Sequence, residues 1–158
     1  VRKVTEEVVN AKADEILKDL LTAGMTEREK AKAIYDWCRE NLKYSTATSY
    51  LMGNYVKAAY SGYRLHYGNC YTYYAVARSL LNRAGITNMM IQRNDPNKPH
   101  YWNLVKISGN WYHFDTCPQP APNNDGCFLL TDAEVAAYSK NKQKGYYSFT
   151  RAYYPATP

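Results

Sequence analysis

Three residues in this chain are of types that together carry out acyl transfer: Cys70, His100 and Asp115. A thiolate attacks carbonyl carbon readily, but free cysteine titrates near ~8.5 and is mostly protonated at neutral pH. It needs a base or a cation beside it, and histidine serves as either. A carboxylate on the other imidazole nitrogen fixes the tautomer and steadies the imidazolium. Cys70 follows Gly68-Asn69 at a loop-to-helix junction. A helix N-terminus offers unpaired N–H groups and partial positive charge, which favour thiolate and can hold an oxyanion. Gly68 is read as allowing backbone or substrate to come close.

The histidine and the aspartate sit on a candidate hairpin. His100 opens the strand His100-Tyr101-Trp102-Asn103-Leu104-Val105, and Asp115 closes Trp111-Tyr112-His113-Phe114-Asp115. With Ser108 and Gly109 as the two turn residues, Ile107 faces Asn110 and Asp115 faces Trp102. Trp102 and His100 are two apart and share a face. Asp115 then becomes the diagonal neighbour of His100, within side-chain reach. A turn one residue longer would send the two to opposite faces.

Helices come first among the elements that must position these groups. Val8, Val9, Ile16, Leu17, Leu20 and Leu21 predict an amphipathic helix over Thr5 to Leu21. Thr26 and Glu29 form a capping-box pattern opening a second helix, to about Leu42. Cys38 lies in its apolar stripe and is read as a small core residue. A short helix is expected around Tyr55 to Tyr60. A third runs from Cys70 to Ala84, with Gly85 at the C′ position. Strands follow at Met89 to Gln92 and in the hairpin. Pro118 to Gly126 reads as a loop, Thr131 to Ser139 as a capped helix, and Tyr146 to Tyr154 as a last strand. Helices followed by antiparallel strands predict an α+β fold.

Taken together, the residues from Tyr67 to Thr116 resemble the transglutaminase-like superfamily. The resemblance rests on Gly68-Asn69-Cys70 with its helix, Ala84-Gly85-Ile86, His100-Tyr101-Trp102-Asn103, and Trp111 through Asp115. It extends upstream to the helix from Thr26 to Leu42. It implies a papain-like fold in one domain over residues 1–158, with the nucleophile helix packed on an antiparallel sheet. It also implies a Cys70–His100–Asp115 triad acting through a thioester, of the kind found in bacterial proteases, amidases and transglutaminases. Two departures stand out. Thr116 follows the aspartate where many members carry proline. The only tryptophan before Cys70 is Trp37, in a helical apolar stripe, so Tyr44 is the expected oxyanion donor. Asn69, Tyr101 and Trp102 complete the expected cleft, although Trp102 also suits the core.

Composition narrows the partners. The chain has 158 residues, enough for one domain with its own core, and a formal net charge of +6. The cations are dispersed apart from Lys140, Lys142 and Lys144, without the basic run interleaved with aromatics that nucleic-acid binding needs. The expected substrate is protein, peptide or cell-wall peptide, with no nucleic acid and no membrane span. No cofactor is expected. A metal site from Cys70, His66, His100, His113 and Cys117 lacks the usual zinc spacing. Cys117 and Cys127 flank a loop that an oxidising compartment would allow them to close. The chain opens on Val1 rather than methionine, so a piece of a longer, extracytoplasmic or secreted protein is expected. A non-catalytic binding module on the same fold is the competing reading. Seventeen tyrosines against three phenylalanines suit a tyrosine-rich surface or cleft.

Overall fold

Two threonines set the first two helices. In this computed structural model, which describes residues 3–118, 126–141 and 144–158, α1 spans Glu6–Leu20 and α2 spans Glu27–Asn41. The Thr5 hydroxyl accepts from the Val8 N–H, and Thr26 and Glu29 exchange both capping-box bonds. Each cap satisfies a first-turn N–H that has no partner within the helix. Helix α3, Tyr55–Leu65, is longer than the sequence pattern indicates and ends at His66 in the left-handed region (φ 60°). Helix α4, Cys70–Arg83, is buried on nearly every side by α1, α2, α3 and the sheet. Small and aliphatic residues (Ala75, Val76, Ala77, Leu80, Leu81) make that possible, since none exposes surface. Its end is a Schellman motif: Gly85 N–H donates to Asn82 O, and Ile86 N–H to Leu81 O.

The main sheet has the order β3-β4-β5-β6: β3 Asn88–Gln92, β4 Tyr101–Ile107, β5 Asn110–Asp115 and β6 Cys127–Leu130, all antiparallel. The β4–β5 turn is the two-residue one, with φ 49° at Ser108 and 84° at Gly109. Ile107 pairs with Asn110 and Asn103 with Phe114, the expected register. A separate two-stranded parallel sheet pairs β1 (Lys43–Tyr44) with β2 (Tyr67–Gly68), setting Tyr44 against Gly68. A 3-10 turn, Thr46–Leu51, follows β1.

Both faces of the main sheet are covered. Val105, Ile107 and Phe114 join the core built on α4. On the other face Ile91, Trp102, Leu104 and Leu130 pack with Val135 and Tyr138 of α5 (Asp132–Asn141) and with Tyr147. That second layer is where the structure departs from the sequence reading. The segment from Tyr146 to Tyr154 is no strand; it is turns followed by a 3-10 turn at Arg151–Tyr153. Arg93 makes those turns useful without a ladder, because its Nε donates to the Tyr146 carbonyl at 2.8 Å. Strand β6, in contrast, has no sequence forecast, being four residues long and bulged against β5, with Leu129 at φ 53°. Most of the expected Pro118–Gly126 loop, 119–125, lies outside the described residues, as does Lys142. Cys127 is a buried thiol rather than half of a bridge to Cys117. Among the described residues no helix is long and apolar enough to cross a membrane.

Candidate active site

Cys70 is the first residue of α4, and Asn69 is its N-cap. The Asn69 side chain accepts from the Thr72 N–H at 3.2 Å and donates to Ser49 Oγ at 3.4 Å. Asn69 N–H in turn donates to Thr48 Oγ1 at 3.2 Å, and Thr48 meets Thr72 at 3.0 Å. The expectation that Asn69 faces the cleft is therefore corrected: its amide is engaged in fixing the start of α4. Gly68 is corrected in the same way. A Cβ there would lie 2.2 Å from Thr72 Oγ1, so the glycine makes room for a side chain of the same helix, not for a ligand.

His100 precedes β4 and brings Nε2 to 2.8 Å from Asp115 Oδ2. Its other nitrogen, Nδ1, is the one left for Cys70, which lies close enough to raise the ring's pKa. Burial alone pushes this imidazole's pKa down, but the Asp115 carboxylate and then Cys70 outweigh it, raising it to about 9. Asp115 is itself held on both oxygens. Oδ1 accepts from the Cys117 N–H at 3.0 Å, and Oδ2 also accepts from the Tyr147 hydroxyl at 2.9 Å. Cys70, His100 and Asp115 are 8%, 4% and 2% exposed, so a reactant reaches them only through an opening. A cavity of about 460 Å³ lined by Gln92, Arg93, Asp95, Pro99, His100 and Tyr101 reaches the histidine; Cys70 and Asp115 do not line it.

The remaining expected residues divide. Tyr44 and Tyr101 both stand close enough to feel Cys70: burial first, and then the cysteine, raises each phenol's pKa. Tyr44 is 44% exposed on β1, beside Gly68. Tyr101 lines the cavity and sets its ring edge-on to Tyr71, centroids 5.2 Å apart. Trp102 does not line the cleft. It is fully buried, stacks on the His100 ring (5.5 Å, 26°) and donates its Nε1–H to His113 Nδ1 at 3.0 Å. The grouping weighed as a metal site is not assembled. His66 Nδ1 lies 3.2 Å from the Asn41 carbonyl, while His113 Nε2 meets Asp132 Oδ1 at 2.7 Å. Among the described residues no three His, Cys, Asp or Glu side chains gather as a metal site.

The sequence model of the Transglutaminase-like superfamily matches residues 14–116, which hold Cys70, His100 and Asp115. The chain belongs to the transglutaminase-like superfamily. No curated protein matches it. Two solved structures share the fold of this transglutaminase-like domain. A candidate cysteine protease from Cytophaga hutchinsonii is 19% identical with a TM-score of 0.56, over 82% of this chain and 43% of that one. A TGase is 15% identical with a TM-score of 0.53, over 75% and 33%. The domain thus spans less than half the length of either relative. Its α+β architecture, with a nucleophile helix against an antiparallel sheet, is that of the superfamily.

Sequence reasoning missed two groups in this transglutaminase-like domain. Tyr147 reaches Asp115 from 32 residues downstream, out of turns with no periodicity to read. His113 and Asp132 form a second histidine–aspartate pair on the same side of the sheet, with the imidazole buried and the carboxylate half-buried. His113 carried a signal, since it lies two residues before Asp115 on β5 and so shares its face. Asp132 carried none, because it joins the pair from α5.

Proposed function

We propose that this domain performs cysteine-dependent acyl transfer on peptide or amide substrates, through a thioester on Cys70. The observation that carries the reading is the placement of His100 between Cys70 and Asp115, with Nε2 fixed at 2.8 Å and the ring raised to about 9. An imidazole so held is protonated at neutral pH, which suits it to stand beside a thiolate and then give its proton away. Cys70 Sγ attacks the carbonyl carbon, and the carbonyl electron pair moves onto oxygen. The Cys70 N–H, an orphan donor of the first helical turn, and the Tyr44 hydroxyl serve that oxyanion. When the C–N bond breaks, His100 protonates the departing amine and the thioester remains. Water, losing a proton to His100, attacks the thioester and restores the thiol; this is the protease or amidase outcome. An amine in place of water gives transglutamination.

The test is direct. Iodoacetamide on the native protein should label Cys70 ahead of the other cysteines, and His100→Ala should slow that labelling. Peptide-library turnover, with Cys70→Ala as control, then separates enzyme from binding module. A native protein whose Cys70 stays inert, with no turnover above the control, would falsify the proposal.

A further inference from the structure

His113 has its two ring nitrogens committed in a way that determines where its proton sits. An indole N–H can only donate, so the 3.0 Å contact from Trp102 Nε1 requires a bare Nδ1. The proton is therefore on Nε2, donated to Asp132 Oδ1 at 2.7 Å. Asp132 is clamped in turn by the chain's last residues: Thr157 N–H and the Arg151 guanidinium both donate to its Oδ2. Arg151 also holds the carbonyls of Tyr154 and Pro155. The line runs from that clamp through Asp132 and His113 to Trp102, and the face of Trp102 lies against His100.

We propose that His113 is a positioning residue: with Asp132 it fixes the Trp102 indole, the surface that keeps the His100 ring aligned between Cys70 and Asp115. The inference rests on the acyl-transfer reading for its purpose, but not for its test. Asp115, itself held by the Tyr147 hydroxyl, fixes one edge of the His100 ring, and that single contact does not by itself set the ring's tilt. Trp102 stacks on one face, and the Tyr146 ring, 4.8 Å away, packs against the imidazole at 51°. Trp102 has no freedom of its own while His113 accepts its N–H. A protonated His113 would place a hydrogen on Nδ1, facing the indole N–H, and release it. Burial drives His113 toward the neutral form, and Arg151 adds to this. The nearby Asp132 and Asp115 carboxylates oppose it without prevailing.

The experiment uses the full chain and two readouts. Nitrogen-15 NMR follows the His100 ring through its titration, and the iodoacetamide alkylation rate of Cys70 is measured against pH. The groups facing His100 are Asp115, Cys70, Tyr146 and Tyr147, with Arg93 over the Tyr146 ring. His113→Ala should lower the His100 midpoint and slow alkylation at neutral pH about tenfold, the scale of one net hydrogen bond. Trp102→Phe should give the same loss, and the double variant no more than either. His113→Asn, whose amide oxygen can accept the indole N–H, should recover most of the rate. Asp132→Asn tests the same line from its half-buried end if His113→Ala fails to fold, since an amide there permits the other tautomer. An unchanged His100 titration in folded His113→Ala or Asp132→Asn, or additive losses in the double variant, overturns the assignment. Should wild-type Cys70 prove inert, the acyl-transfer reading fails, while the His100 titration alone still decides the role of His113.

Discussion

Two histidine–aspartate pairs lie on one face of the same sheet, and they behave oppositely. His100–Asp115 closes at 2.8 Å and His113–Asp132 at 2.7 Å, and both imidazoles are buried. Burial pushes both pKa values down, yet His100 rises to about 9 and His113 falls below its ordinary value. Each has a carboxylate bond, but Asp115 is buried and gives the largest push upward on His100, whereas Asp132 is partly exposed and shared with Arg151. The second nitrogen adds to the difference. That of His100 faces the Cys70 side chain, which favours the charged ring, whereas that of His113 accepts a hydrogen from Trp102, which only the neutral ring can do. Arg151, near Asp132, adds a further push toward neutrality. A histidine–aspartate contact is therefore poor evidence of catalysis until the other nitrogen's neighbour is named.

Breaking the first pair should have the larger effect. On the proposed mechanism His100→Ala removes the group that moves the proton, and should cut Cys70 acylation by roughly 10²–10⁴-fold in a turnover or alkylation assay. Asp115→Asn comes next. The amide can present its NH2 to Nε2 and so favour the wrong tautomer, for a loss of roughly 10–10³-fold with the fold retained by circular dichroism. The matching change in the second pair, Asp132→Asn, should cost only about tenfold, because it acts through Trp102. Equal losses from the two aspartates would show that the pairs are not divided as described.

The pairs should also respond to pH on opposite sides. The folded pKa of His100 is raised, so its contribution to stability is complete below the unfolded value near ~6.5. That contribution is lost as pH rises through about 9. His113 is lowered, so its contribution is complete above ~6.5 and is lost as pH falls through its folded value. Urea midpoints measured across pH should therefore fall toward both ends of the range. His100→Gln should flatten the alkaline fall and leave the acid fall standing.

The site was legible where short-range patterns fixed it. Cys70 at the head of α4 follows from the Asn69 cap and the Gly85 end, both local signals. The His100–Asp115 approach follows from parity across a two-residue turn, once Ser108-Gly109 is read as that turn. Asn69 and Gly68 serve the start of α4 rather than a cleft, and Trp102 takes the core place that its sequence also suited. Residue type tells that a side chain can donate, not what already occupies it. The layer behind the sheet was illegible for another reason. Strand β6 is too short and too bulged to show a period, and the segment after α5 is held by single contacts such as Arg93 to Tyr146. Contacts between residues 30 or more positions apart leave no local trace, and Tyr147 reaches Asp115 in that way.

Tyr147 supplies the finest test of the comparison, because its hydroxyl bonds the carboxylate of the first pair and neither member of the second. Its hydroxyl donates to the same Asp115 oxygen that receives His100. It therefore shares that oxygen's negative charge and weakens the carboxylate's hold on the imidazole. Tyr147→Phe removes one hydrogen bond to a charged acceptor and should lower stability by about 1.5–3 kcal/mol in urea unfolding. Its effect on chemistry should run the other way from Asp115→Asn. A carboxylate relieved of one donor is more basic, so His100 should titrate higher and the alkaline limb of Cys70 alkylation should move up in pH. His113 should respond less, since its bonded carboxylate is Asp132 and Asp115 acts on it only from a distance. A downward move of the His100 midpoint in Tyr147→Phe would mean that the hydroxyl serves chiefly to place Asp115 rather than to moderate its charge.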